Sequence, residues 1–246
     1  MKKVIFFVSS EFSLQILNNL DKNILDQYKI ELISNSYVNH KYKKYDKNDI
    51  FECDLAISIG FSEKLQVSNI ISNYGAFNIH QSILPDYRGR HPIQAMIING
   101  EKKYGCTLHF LEKEYDTGKI VQQTVKTFKS VPNEVTVRRL MVRHSVELVE
   151  YLFLNYKSGF KNAKKQERTV SKIAPKRIPS DSRITKNLNF QTIKNMTKAL
   201  MNENYRPYII MNSKRICIKN VYLYNLKNKN LIKFNLNEGS VFLEKY

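Results

Sequence analysis

Asn78 and His80 stand two residues apart in the run FNIHQSILPDYRGRHP, Phe77 to Pro92, and an acidic loop, Tyr115-Asp116-Thr117-Gly118, follows downstream. On an extended strand such a pair leaves the same face, so an amide donor and a titratable imidazole are brought together. Pro85, Arg88, Gly89, Arg90 and Pro92 cannot continue a central strand. The pair is therefore expected where a strand ends and a loop opens, the edge at which open α/β sheets bind ligands. Alone, an Asn-x-His more often only bonds loop backbone. Asp116 shifts that balance: it lies on a separate loop after another strand run, placed to orient an imidazole or favour its charged form. The local motif holds no nucleophile, since Ser82 is not in a G-x-S-x-G elbow and Cys106 falls within a strand run. An Asn, His and Asp set of this kind fits transfer of an acyl group between two bound substrates, one of which supplies the nucleophile.

The elements that must position these residues begin with a buried strand from Lys2 to Val8 and a helix-like spacing of Phe12, Leu14, Ile16, Leu17 and Leu20. Tyr28 to Ser34 reads as a second strand, Asn35 to Asp49 as a polar loop, and Asp54 to Gly60 as a third strand. Ser62 to Ile71 predicts a short helix and Gly75 to His80 a fourth strand. Strands alternating with helices imply a mostly parallel sheet with right-handed crossovers. Pro92 to Asn99 has a helix start and Gly100 a stop; Tyr104 to Leu111 and Lys119 to Phe128 read as adjacent strands. Thr136 to Tyr156 carries the longest apolar helical stripe, including Val137, Leu140, Met141, Leu148, Val149 and Leu152. From Ser158 to Ile184 the chain is basic and irregular, which suggests a domain boundary, placed at 180. Phe190 to Met201 then predicts a helix, and Tyr208 to Tyr246 hairpins divided by Asn-Ser, Lys-Asn-Lys-Asn and Asn-Glu-Gly. A module of that size, 181–246, buries little by itself and is expected to pack on the first domain or on a second subunit.

The 246 residues are 42% hydrophobic, ample for a packed core. The net charge of +18 is spread along the chain, so it reads first as a solvated lysine-rich surface, although an anionic small molecule or a nucleic acid would also suit it. Three scattered cysteines, Cys53, Cys106 and Cys217, point to a reducing, cytoplasmic setting. The apolar run Val4 to Val8 is too short for a signal-peptide core, and no stretch approaches the roughly 20 apolar residues of a membrane span. His40, His91, His109 and His144 read as surface or core histidines, and no metal site is expected.

The pattern Asn78, His80, Gln81, Ser82, Leu84, Pro85, Tyr87, Arg88, Gly89, then Pro92, Gly100, Gly105, Thr107, Asp116 and Gly118, closely resembles the formyltransferases that use N10-formyltetrahydrofolate. The resemblance covers roughly the first two-thirds of the chain. It implies a Rossmann-like α/β domain with a mostly parallel sheet, followed by a small C-terminal helix and β-hairpin module. It implies Asn78, His80 and Asp116 as the catalytic trio, with formylfolate bound near Phe61, Ser62, Glu63, Lys64, Leu65 and Gly118. Gln81, Ser82, Tyr87, Arg88, Gly89 and Arg90 are the candidate acceptor-binding residues, the two arginines for a pyrophosphate. The chain lacks the glycine-rich loop after the first strand that glycinamide-ribonucleotide formyltransferases carry, having Val8-Ser-Ser-Glu-Phe12 there. The region after Ser182 is shorter than the barrel domain of methionyl-tRNA formyltransferases. It is more similar to nucleotide-sugar N-formyltransferases, whose C-terminal region commonly forms a dimer; the tryptophan usual near its helix is replaced, at best, by Phe190. The expected acceptor is thus the amine of a nucleotide sugar, such as dTDP-4-amino-4,6-dideoxyglucose, on a route to surface polysaccharide, the O-antigen of lipopolysaccharide. Initiator tRNA is the rival within the same chemistry, and non-catalytic nucleic-acid binding is the rival outside it.

Overall fold

Strand β1 (Lys2–Val8) is buried on both faces from Val4 onward, as a central strand of a parallel sheet must be. Successive side chains alternate between those faces: Phe6 meets Phe153 with ring centroids 6.3 Å apart, whereas Phe7 meets Phe51 edge-on at 5.1 Å. The computed structural model describes residues 1–35, 42–167, 172–226 and 230–246. The chain divides into two units. The first gathers Met1–Arg90, Tyr104–Lys126 and Arg138–Ile173; the second gathers His91–Lys103, Thr127–Val137 and Ala174–Tyr246, reaching beyond the 181–246 segment.

After β1 come α1 (Glu11–Asn18), α2 (Lys22–Leu25), β2 (Tyr28–Ser34), β3 (Lys43–Lys44), β4 (Phe51–Cys53) and β5 (Leu55–Ile59). Then follow β6 (Ile70–Ser72), β7 (Ala76–His80), β8 (Arg88–Gly89), α3 (Pro92–Ile98), β9 (Lys103–Phe110) and β10 (Ile120–Thr127). The long α4 (Glu134–Asn155), β11 (Ile173–Ala174), α5 (Phe190–Ala199) and strands β12 (Tyr208–Met211), β13 (Lys214–Tyr222), β14 (Leu231–Leu236) and β15 (Gly239–Lys245) complete the order. The main sheet runs β10-β9-β7-β5-β1-β2-β3. It is parallel from β3 to β7 and reverses where β7 meets β9. The chain is thus α/β with a largely parallel sheet and a C-terminal β module.

Two expectations about local structure change. Ser62 to Ile71 is not a helix: it holds one 3-10 turn at Val67–Asn69 and then β6, which pairs in parallel with β4. The reason is a competing partner. Tyr45 donates its hydroxyl proton to the Lys64 carbonyl at 3.4 Å and accepts from the Gln66 N–H at 3.1 Å, while Leu65 is buried in the cluster of Phe7, Tyr45 and Phe51. These backbone groups find partners without helical bonds. The polar loop Asn35 to Asp49 contains the short β3 beside β2; its residues 36–41, with His40, lie outside the described residues.

In the second unit α5 is started by Asn189, whose side chain accepts from the Thr192 N–H at 2.8 Å. The buried Asn195 donates to the Ile98 carbonyl at 3.1 Å, occupying an acceptor at the end of α3. Asn212 and Ser213 join β12 to β13 with φ of 49° and 58°, the two positive values a tight two-residue hairpin turn requires. The Asn-Glu-Gly signal is the turn between β14 and β15. Of the Lys-Asn-Lys-Asn signal, residues 227–229 lie outside the described residues, as do 168–171 of the basic segment. Among the described residues no helix is long and apolar enough to cross a membrane.

Candidate active site

The reversal at β9 builds the site. In the β7/β9 register Asn78 lies opposite His109, and His80 opposite Thr107. His109, which the sequence offers only as a histidine within a strand run, is thereby delivered against Asn78. Its Nδ1 lies 2.8 Å from the Phe110 carbonyl oxygen, and since a carbonyl only accepts, Nδ1 carries the proton. Burial pushes the His109 pKa down to about 4, a fall that the nearby Asp116 opposes and His80 reinforces. The ring is therefore neutral, and its Nε2 lone pair accepts from Asn78 Nδ2 at 3.1 Å. The 3.7 Å approach of that Nε2 to Asp116 Oδ1 is no ion pair, because neither atom carries a proton.

His80 is assigned in the same way. Its Nε2 lies 2.8 Å from the Tyr87 carbonyl and must donate to it, so Nδ1 is the nitrogen with a lone pair to offer. That nitrogen faces Asp116 Oδ1 at 3.5 Å, with both side chains nearly buried. A proton arriving on Nδ1 meets a carboxylate. Asp116 is held on its other oxygen by the Gly89 N–H at 2.9 Å, and Asn78 Nδ2 reaches its Oδ1 at a long 3.4 Å. Asp116 adopts φ of 56°, uncommon for a residue with a side chain and sustained only where the surroundings over-determine it.

A buried glutamine missed in the sequence supplies part of that determination. Gln166 Nε2 donates to the carbonyls of Asp116 at 2.8 Å and Gly118 at 2.7 Å, while its Oε1 accepts from Arg88 Nε at 3.1 Å and Nη2 at 2.7 Å. Nothing in the irregular basic segment marks this residue out; only the folded contact does. Gly118 is required for space: a Cβ there would lie 1.8 Å from the Phe110 carbonyl oxygen. Gly118→Ala is expected to lower stability by about 3 kcal/mol, the upper end for overpacking, measured as a fall in the urea midpoint; an unchanged midpoint would contradict the contact.

The remaining candidates divide by burial. Ser82 is fully buried and donates to the Asp86 carbonyl at 2.7 Å, so it shapes the loop rather than facing a substrate. Thr107 fastens the same loop by donating to the Ser82 carbonyl at 2.7 Å and accepting from the Leu84 N–H at 3.1 Å. Tyr87 is likewise buried, with φ of 62°, and contributes to the site through its carbonyl. Gln81 donates to the Ile79 carbonyl at 3.0 Å and is half-buried. Arg88 is held by Gln166, whereas Arg90 is exposed and donates to the Ser62 carbonyl. In the loop after β5, Phe61 and Leu65 pack into the aromatic cluster, Ser62, Glu63 and Lys64 are exposed, and the Lys64 ammonium lies 5.4 Å from the centre of the exposed Tyr115 ring. This last contact brings the 61–65 loop against the Asp116 loop. Cys106 is inert, since burial pushes its thiol up to about 12. No group of acidic, histidine or cysteine side chains among the described residues could hold a metal ion.

The structure thus gathers an amide, two imidazoles and a carboxylate, those of Asn78, His80, His109 and Asp116, beside β7 and β9. Residues 34–147 match the formyl transferase family model, so this stretch is a formyl transferase domain. A methionyl-tRNA formyltransferase of Azobacteroides pseudotrichonymphae is 34% identical over 152 residues, 60% of this chain and 47% of that protein. The chain spans less than half the length of the curated relatives it matches. Among solved structures, WlaRD, a sugar 3N-formyl transferase studied with dTDP and 5-N-formyl-THF, superposes with a TM-score of 0.71 at 20% identity, covering 100% of this chain and 98% of that one. The N-formyltransferase from Helicobacter canadensis, in complex with folinic acid and dTDP-3-aminofucose, gives 0.67 at 20% identity over the whole of both chains. At that identity the likeness is one of fold.

Proposed function

We propose that this chain transfers a formyl group from N10-formyltetrahydrofolate to the amine of a nucleotide-linked amino sugar, with dTDP-4-amino-4,6-dideoxyglucose as the leading candidate. The observation that carries the reaction is the convergence of Asn78, His80 and Asp116, with His80 Nδ1 facing the carboxylate at 3.5 Å. When bound, the formylfolate supplies the carbon that the amine attacks. Asn78 has one N–H committed to His109 at 3.1 Å and a second only weakly engaged at 3.4 Å. The second turns to the charge developing on the formyl oxygen. His80 Nδ1 takes the proton released by the amine, Asp116 stabilises the resulting imidazolium, and that proton passes on to the departing folate nitrogen. Glu63, Lys64 and Tyr115, exposed beside the catalytic loop, are the groups suited to hold the folate. Arg90, exposed, is better placed than Arg88 for a pyrophosphate.

The acceptor reading is supported by the whole-length likeness to WlaRD and the Helicobacter canadensis protein, both named as formyltransferases. On this reading the enzyme works in the cytoplasm on a route to the O-antigen of lipopolysaccharide, as a homodimer formed through the C-terminal module. Methionyl-tRNA is the second reading, favoured by the names of the curated relatives and by the net charge of +18. The test is incubation with formylfolate and either a panel of nucleotide amino sugars or initiator methionyl-tRNA, with products read by mass spectrometry. Formylated sugar is the expected product, and formylated tRNA alone would overturn the acceptor.

A further inference from the structure

We infer that Gln166 is the positioning residue of this site, acting on catalysis through Asp116; the inference rests on the formyl-transfer reading above. Three features carry it. The side chain is 7% exposed, and each end is committed: two carbonyls of the Asp116-Thr117-Gly118 turn take protons from Nε2, and the Arg88 guanidinium gives two to Oε1. The guanidinium also decides which end of the amide is which, because only an oxygen can accept from it. Next, Asp116 holds a left-handed backbone conformation, uncommon for any residue other than glycine, which outside bonds to the turn help to sustain. Lastly, Arg88 is joined to Gly89, the residue whose N–H holds Asp116 Oδ2 at 2.9 Å. One amide thus grips both the loop that carries the carboxylate and the strand that aims it. Without it Asp116 is free to turn from His80 Nδ1, and a misplacement of about 1 Å costs on the order of 10²-fold in rate.

Two variants test this. Gln166→Met removes both ends at similar volume; Gln166→Glu keeps the Arg88 contact and removes only the donor to the two carbonyls. Both are expected to lower kcat by about 10²-fold with the KM for formylfolate unchanged within about twofold, the signature of an interaction that serves the transition state. Combined with Asp116→Asn, either variant should add no further loss, since the two residues act as one unit. A readout independent of turnover comes from selective 15N-glycine labelling, because the chain has only 8 glycines. The Gly89 amide, bonded to Asp116 Oδ2, should move upfield in both variants of the free protein. An unmoved Gly89 signal would overturn the inference, and so would a rate loss that adds in full to that of Asp116→Asn. Should the wild-type chain formylate no acceptor, the function proposed above fails, while the Gly89 signal still decides whether Gln166 holds Asp116.

Discussion

Replacing His80 with glutamine is expected to lower kcat for formyl transfer by about 10²- to 10⁴-fold, the range general acid–base catalysis supplies. Glutamine is the informative substitute. Its amide can still donate to the Tyr87 carbonyl that His80 Nε2 occupies at 2.8 Å, so the loop keeps its buried bond. What glutamine lacks is a basic nitrogen facing Asp116. Alanine would remove the base and also orphan the carbonyl, confounding turnover with folding. Steady-state rates at saturating substrates, beside urea unfolding of the same preparations, separate the two. Turnover near that of the wild type would remove His80 from the proton path and leave Asp116 as the direct acceptor.

Acidification should unfold the protein in a manner traceable to His109. The ring keeps its neutral form down to about pH 4 when folded and has an ordinary value of 6.5 when released, so between these limits the unfolded chain binds the extra proton. Stability therefore rises with pH through this window and is lost as pH falls from 6.5 towards 4. At 1.36 kcal/mol per unit the loss approaches about 3 kcal/mol. His109→Gln retains an acceptor for Asn78 but takes up no proton, so its unfolding free energy should fall less between pH 7 and about 4.5. Equal losses in the two proteins would contradict a neutral buried His109. The same variant leaves Asn78 aimed, so its turnover at neutral pH is expected to fall far less than that of His80→Gln.

The strands were legible wherever burial dictates composition. β1 has the bounds that its apolar run predicts, because a strand covered on both faces tolerates few polar residues, and β2, half-buried along most of its length, keeps its predicted bounds as well. The meeting of Asn78, His80 and Asp116 was also legible, since the first two alternate on one strand, β7, and the third lies on the loop that follows β9. The 62–71 segment was not: Leu65, Val67, Ile70 and Ile71 mimic helical spacing, and only Tyr45, about twenty residues away, decides otherwise. Gln166 and the role of His109 share that difficulty. One depends on contacts to Asp116 and Arg88 across 50 and 78 residues, the other on which strand β9 joins and in which direction.

That direction has a further consequence. Because Asn78 and His109 are opposed across a ladder, their meeting is independent of the number of residues between β7 and β9. A residue inserted at the exposed Lys102 would leave the pair intact. A residue inserted between Thr107 and His109 would slip the alternation by one, send His109 to the opposite face of the sheet, and leave Asn78 without its acceptor. The pair is thus expected to tolerate an insertion at Lys102 and not a single one within β9, a contrast open to direct measurement by insertion scanning from Lys102 to Phe110.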